Sequence, residues 1–349
     1  MNGPAAANPR AGVVIVVGPP AWILLAAATA YSVVCGFEVG GNLMGGLVAA
    51  RAFTLTGAAL VLLAGAAAGP WLVGTGVAHA IVFAVIALPR LGPAVYLEAV
   101  TGALAVLGLC WWRGIPTSTT LALVGALAGA GLAAAGPAAV VWGQVWRVLG
   151  SMAAALLAGA VVGAAAWILS RAALRHAGEG ASTSLRGLQT VTGLLQGFGY
   201  GSNDAEKAVG LFALVAAWGS ASGRAALAAG HLPVPSWAVW AAILTFGLGM
   251  AVGGARVART VGFGLYRVRA GDALAAQFAA GVTVVAAAAF GGPVSSGQTA
   301  TAALLAAGAA RRLSLPRWSL VGRIGVAWLV TLPLGLLLGA AAAVVVASA

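Results

Sequence analysis

The chain has 349 residues, of which 7% are Asp, Glu, Lys or Arg and 62% are hydrophobic. Soluble globular proteins carry about 25% charged residues, and so sparse a set cannot solvate the surface of a 33.9 kDa body. A soluble enzyme and a disordered chain are excluded. What remains is an all-α polytopic membrane protein, because helices satisfy their own backbone hydrogen bonds in lipid.

The formal net charge is +12. The arginines stand singly or in pairs between apolar runs and form no basic arm, so they read as positive cytoplasmic loops and not as a nucleic-acid surface. Cys35 and Cys110 lie in apolar stretches and read as small hydrophobes. No nucleotide fingerprint, metal quartet or nucleophile elbow is present, so no enzyme activity and no cofactor is expected.

In chain order, Arg10 precedes an apolar stretch over 11–37, which predicts a first transmembrane helix kept in the chain. Glu38 and Asn42 follow it, in Gly36-Phe37-Glu38-Val39-Gly40-Gly41-Asn42. The run 52–89 is expected to break at Gly69-Pro70. Glu98 lies alone in the next apolar stretch. Gly114-Ile115-Pro116-Thr117-Ser118-Thr119-Thr120 opens the run 114–146, with a break at Gly136-Pro137. After 148–170 comes the one segment polar enough for a central cytoplasmic loop, 171–186, with Arg171, Arg175, His176, Glu179 and Arg186.

The second half opens with the uncharged run 187–202, then Asn203, Asp204, Glu206 and Lys207, then the run 208–223. The runs 225–255, 273–310 and 324–349 follow, the second broken at Gly291-Gly292-Pro293, with arginine-bearing segments 256–269 and 311–323 between them. The twelve Trp read as interfacial anchors and packing residues. The expectation is about ten to twelve membrane segments, some of them half-helices.

The two halves resemble each other. Gly36–Asn42 is echoed by Gly201-Ser202-Asn203-Asp204-Ala205-Glu206-Lys207, and Gly114–Thr120 by Gly291-Gly292-Pro293-Val294-Ser295-Ser296, in the same order. Interrupted helices in corresponding positions of two halves predict a secondary transporter with a midplane site. The division is 11–170 as first repeat, 171–186 as cytoplasmic loop and 187–349 as second repeat.

The cluster at 203–207 holds two of the six acids and the single lysine. Ionisable groups between long apolar runs mark an ion or substrate path. Ser118, Thr119 and Thr120, and Ser295 and Ser296, each follow a proline and precede an apolar stretch, the composition of a helix N-terminus with a capping hydroxyl. Two such N-termini aimed at one point suit an oxyanion.

At these motifs the chain resembles the inorganic phosphate transporter (PiT) family of secondary carriers. Gln196 to Gly210 is similar to that family's G-A-N-D-A-Q-K-A signature. Gly36 to Arg51 resembles the first-half version, the two proline segments resemble its P-x-S-[ST]-T-H elements, and Arg317 to Pro333 resembles its final helix. The resemblance implies two inverted-topology repeats. The expected location is the inner (plasma) membrane, as a multi-pass protein, and bundles rich in small residues suit a homodimer. The resemblance also implies symport of phosphate with sodium ions or protons, by alternating access.

Substrate residues carried over are Asn203, Asp204, Lys207, Ser118, Thr119, Thr120, Ser295, Ser296 and Asn42. Coupling-ion candidates are Asp204, Glu206 and Glu38, with a sodium ion at Asn203, Asp204 and Asn42. The departures are Glu38-Val39 for the first Asn-Asp, Leu121 and Gln298 for the two histidines, and Gly297 for a threonine. They leave the ion stoichiometry open, with a sulfate permease as the alternative substrate class. An anion channel or a transport-inactive membrane protein is the alternative of another kind. Asp204 and Glu206 favour phosphate, because a carboxylate accepts from a P–OH and repels sulfate, which only accepts.

Overall fold

A computed structural model describes residues 19–50, 53–86, 91–173, 181–253 and 264–348. The elements are α1 (Ala21–Ala49), α2 (Leu55–Leu72), α3 (Gly76–Ala84), α4 (Pro93–Arg113), α5 (Thr119–Ala135), α6 (Trp142–Ala173) and α7 (Ala181–Tyr200). A π-helical turn, Gly201–Ala205, joins α7 to α8 (Glu206–Trp218). Then follow α9 (Ala221–Ala228), α10 (Ser236–Gly253), α11 (Ala270–Ala289), α12 (Ser296–Arg311) and α13 (Trp318–Ser348). Among the described residues, six helices are long and apolar enough to cross a membrane: α1, α2, α4, α6, α11 and α13. The expected ten to twelve segments are approached only by adding shorter pieces such as α5, α10, α12 and the α7–α8 unit.

The outer surface is that of a membrane protein. Leu157, Val161 and Ile168 of α6, Leu244 and Leu248 of α10, and Leu329, Leu337 and Val344 of α13 are all exposed. Trp22, Trp71, Trp112, Trp142, Trp237 and Trp318 are exposed at or near helix ends, the position of interfacial anchors. In contrast, α5 is buried on every side from Thr119 to Gly131, as befits a helix that is apolar all round.

The helix pairings come in sets that exchange halves. The first-half α5 packs on α13, and the second-half α12 packs on α6. In the same way α4 meets α13 and α11 meets α6, while α4–α5 has its counterpart in α11–α12. The two proline segments also share a local design. Gly114 (φ 65°) and Gly291 (φ 66°) adopt the left-handed conformation at the ends of α4 and α11, where glycine carries no Cβ penalty. An extended stretch containing the proline follows, and a new helix then starts at Thr119 or Ser296.

Two expectations are corrected. Gly69-Pro70 does not break its run: α2 continues through Pro70 to Leu72 and the chain turns at Gly74 (φ 100°). A proline there withdraws the N–H that would reach the Ala66 carbonyl, and membrane helices tolerate this where a neighbour packs on the freed group. Here Gly201 lies so close that an added Cβ would sit 2.0 Å from that oxygen. The loop expected over 171–186 is helical at both ends, with α6 running to Ala173 and α7 starting at Ala181; residues 174–180 lie outside the described set. So do Arg10, Arg51, Arg256 and Arg259.

Candidate functional site

The π-turn is the centre of the arrangement. Ser202, Asn203, Asp204, Glu206 and Lys207 are all buried. A π-turn inserts one residue into the α-helical ladder, and it carries Asn203 and Asp204 here. Close packing fixes its backbone against α2: an added Cβ on Gly69 would lie 2.3 Å from the Ser202 nitrogen.

Asn203 binds the second proline segment. Its Nδ2 donates to the Val294 carbonyl at 2.9 Å and to Ser296 Oγ at 2.8 Å, and its Oδ1 accepts from the Val294 N–H at 3.1 Å. A carboxamide thus satisfies a peptide unit of the extended stretch, which has no helical partner of its own. Thr120 Oγ1 donates to the same Val294 carbonyl at 2.8 Å, which ties the two proline segments together. Tyr200 OH donates to the Ser296 carbonyl at 2.8 Å.

Asp204 and Lys207 bind the first proline segment. Lys207 Nζ lies 2.6 Å from Asp204 Oδ1, with the two side chains 0% and 1% exposed. Thr119 Oγ1 donates to the same Oδ1 at 3.2 Å. The ammonium also approaches Thr119 Oγ1 and the Val294 carbonyl, both at 3.4 Å. Asp204 Oδ2 is buried and has no hydrogen-bond partner among the described residues. The product is a neutral buried ion pair with one carboxylate oxygen left over, set where two half-helices begin.

The remaining expected residues separate. Ser118 caps α5, its Oγ accepting from the Leu121 N–H at 3.1 Å. Ser295 stands at the same position before α12 but makes no side-chain cap; its carbonyl accepts from the Thr299 N–H and hydroxyl instead, at 2.9 and 3.0 Å. Glu38, on α1, is buried beside the Thr117 backbone. Glu206 points to α3: its Oε2 accepts from the N–H groups of Val77 and Ala78 at 3.0 and 3.4 Å, in the first turn of that helix. Asn42 falls within α1, but its side chain lies outside the described residues. Gln277 accepts from Thr192 Oγ1 at 2.7 Å, away from the π-turn.

Several contributors were not foreseen. Val294 acts only through its backbone, which no side-chain pattern announces. Tyr31 OH reaches the Thr119 carbonyl at 3.4 Å, and Thr117 pairs with Thr331 at 2.6 Å. The one available signal was that Tyr31 and Thr331 are hydroxyls within long apolar helices, where each needs a partner.

The family model described as the phosphate transporter family matches residues 35–181 and 170–339. A protein of Rhizobium meliloti (strain 1021) named "Probable low-affinity inorganic phosphate transporter" is 32% identical over 257 residues, covering 71% of this chain and 73% of its own. A protein of the same name from Mycobacterium tuberculosis (strain ATCC 25618 / H37Rv) is 34% identical over 235 residues, 66% of this chain and 55% of its own. This chain therefore spans little more than half of that mycobacterial protein. A solved structure titled "The sodium-dependent phosphate transporter" shares the fold, with a TM-score of 0.80 at 20% identity, over 93% of this chain and 99% of the other. With the family model matching both halves around the π-turn and both proline segments, the chain belongs to the phosphate transporter family.

Proposed function

We propose that this chain is a secondary carrier that moves inorganic phosphate together with sodium ions or protons, by alternating access around a site between its two halves. The observation that carries the reading is the buried Asp204–Lys207 pair, held between the starts of α5 and α12. Burying two charges costs several kcal/mol per ion, and hydrophobic residues would fill the same space without that penalty. A buried pair among apolar helices is therefore read as functional.

The pair suggests how coupling arises. As it stands the site is neutral, so an arriving phosphate brings one or two uncompensated negative charges. A cation taken up at Asp204, where the buried Oδ2 has no hydrogen-bond partner among the described residues and Asn203 lies beside it, relieves Lys207 of its partner. The ammonium, the Thr119 hydroxyl and the N-terminal N–H groups of α5 and α12 are then available to phosphate oxygens. Anion and cation thus stabilise each other's binding, which is the thermodynamic content of symport. Asp204, Glu38 and Glu206 are the candidate carboxylates for the coupling ion. Glu206 would act through α3, since its oxygen meets that helix's first turn.

Exchange of helix pairings between halves supports 11–170 and 187–349 as inverted repeats, with one moving against the other. Among described residues, Arg171, Arg269, Arg311 and Arg312 meet where α6 and α12 end and α11 begins, and Arg113 at the end of α4 lines a second cavity with Arg323 near the start of α13. By the positive-inside rule we read those ends as cytoplasmic, in a multi-pass protein of the plasma membrane.

Phosphate is favoured over sulfate by the Asp204 carboxylate, which accepts from P–OH or holds a cation that pairs with the anion, and which would repel a bare anion that has no proton. Uptake of labelled phosphate into proteoliposomes, competed with sulfate under separate sodium and proton gradients, tests the reading. Saturable phosphate uptake driven by one of the gradients is expected. Sulfate uptake without phosphate uptake or competition overturns it.

A further inference from the structure

At the arginine-rich end, a cavity of about 580 Å³ opens between the end of α6, the start of α11 and the end of α12. Its wall brings together four guanidiniums, Arg171, Arg269, Arg311 and Arg312, against one carboxylate, Asp272, a net charge of +3. The cavity is separate from the π-turn. Ser296 at the start of α12 contacts Asn203, while Arg311 ends the same 16-residue helix, about 24 Å away at 1.5 Å per residue.

The cavity wall is organised around Asp272, which is 1% exposed. Its Oδ1 accepts from Trp167 Nε1 at 2.9 Å, and its Oδ2 from Arg311 Nη1 at 2.7 Å and the Arg269 N–H at 3.0 Å. Both oxygens are therefore engaged, and they hold Arg311 and Trp167 in place. Arg171 in turn rests on Trp167, its Cζ 5.4 Å from the ring centroid. One buried carboxylate thus fixes one arginine directly and a second through an indole. The contact at Nη1 uses one of the five N–H donors of Arg311, which leaves the rest for a ligand. Leu313 and Trp318, on the chain just beyond Arg312, are 74% and 55% exposed, an apolar surface of the kind that meets the bilayer interface.

Convergent guanidiniums with one internal counter-charge call for an external anion, and their planar forks match phosphate oxygens. We propose that this cavity is a second anion site, distinct from the transport site, which binds a phosphate group at the cytoplasmic membrane face. The phosphate group comes from an anionic phospholipid headgroup or from free phosphate. A ligand there ties together the ends of α6, α11 and the half-helix α12.

The test compares wild-type protein with the double variant Arg171→Gln/Arg312→Gln. Both side chains are exposed, and neither takes part in the three bonds to Asp272, so the fold is kept; unfolding midpoints of both proteins check this. Native mass spectrometry reads retention of dioleoyl phosphatidylglycerol against dioleoyl phosphatidylcholine. Equilibrium dialysis reads the number of labelled phosphates bound per chain. Each basic group near a membrane surface is worth roughly a factor of five in affinity, so the double variant is expected to lose about 25-fold.

Phosphatidylglycerol-selective binding that weakens by this amount supports the proposal with a lipid as the source. A second bound phosphate that the double variant loses supports it with the free anion. The single variants Arg171→Gln and Arg312→Gln are expected to show about a five-fold loss each. No preference for phosphatidylglycerol and no second phosphate overturns the proposal, as does binding that the variants leave unchanged.

Discussion

Replacing Asp204 by Asn leaves the Lys207 ammonium with 0% exposure and no counter-charge. Its other neighbours, Thr119 Oγ1 and the Val294 carbonyl, both lie at 3.4 Å and cannot replace a carboxylate at 2.6 Å. Removing one partner of a buried pair costs about 3–5 kcal/mol. Lys207→Met should cost a similar amount, since it strands the Asp204 carboxylate with the Thr119 hydroxyl alone. The double variant Asp204→Asn/Lys207→Met contains no buried charge, and replacing a whole buried pair by groups of similar size is often near neutral. Denaturant unfolding of the four purified proteins closes a double-mutant cycle, with an expected coupling of about 3 kcal/mol or more. Single variants that lose little, or effects that add within about 0.5 kcal/mol, refute the claim that the two groups form one energetic unit.

Glu206→Ala strips the partner from the Val77 and Ala78 N–H groups and should cost about 1–3 kcal/mol of stability. Glu206→Gln keeps an acceptor oxygen and should cost less than about 1 kcal/mol; thermal unfolding in detergent distinguishes them. Gly201→Ala places a Cβ 2.0 Å from the Ala66 carbonyl oxygen. It should force α2 and the π-turn apart, lower stability by about 1–3 kcal/mol and abolish uptake, whereas Gly150→Ala, with nothing within 4 Å, should leave both intact. Arg311→Gln removes the 2.7 Å ion pair of the buried Asp272 and should destabilise by about 3 kcal/mol or more, read as a lowered unfolding midpoint.

The parts of this fold visible in the sequence were those that depend on residue type. Scarcity of charge identified the membrane class, and left-handed glycines at 114 and 291 followed by prolines marked the half-helix starts. The concentration of Asn203, Asp204 and Lys207 pointed to the π-turn. What escaped depends on packing at a distance. Gly69-Pro70 has the composition of a breaker, yet Gly201 of another helix packs closely on the carbonyl that the proline frees. Glu206 belongs to the same short cluster as Asp204, yet one turn of helix geometry points it to α3. Ser118 and Ser295 look equivalent in sequence, and only the first caps its helix through its hydroxyl. Val294 anchors both halves of the arrangement through peptide atoms, for which its side chain is irrelevant.

The most direct test of the transport account is gradient-driven uptake of labelled phosphate by wild-type protein and by the stable double variant Asp204→Asn/Lys207→Met, each reconstituted at equal density. The account predicts saturable uptake for the wild type and none for the double variant, although its unfolding midpoint stays close to that of the wild type. Uptake by the double variant at the wild-type rate would contradict it.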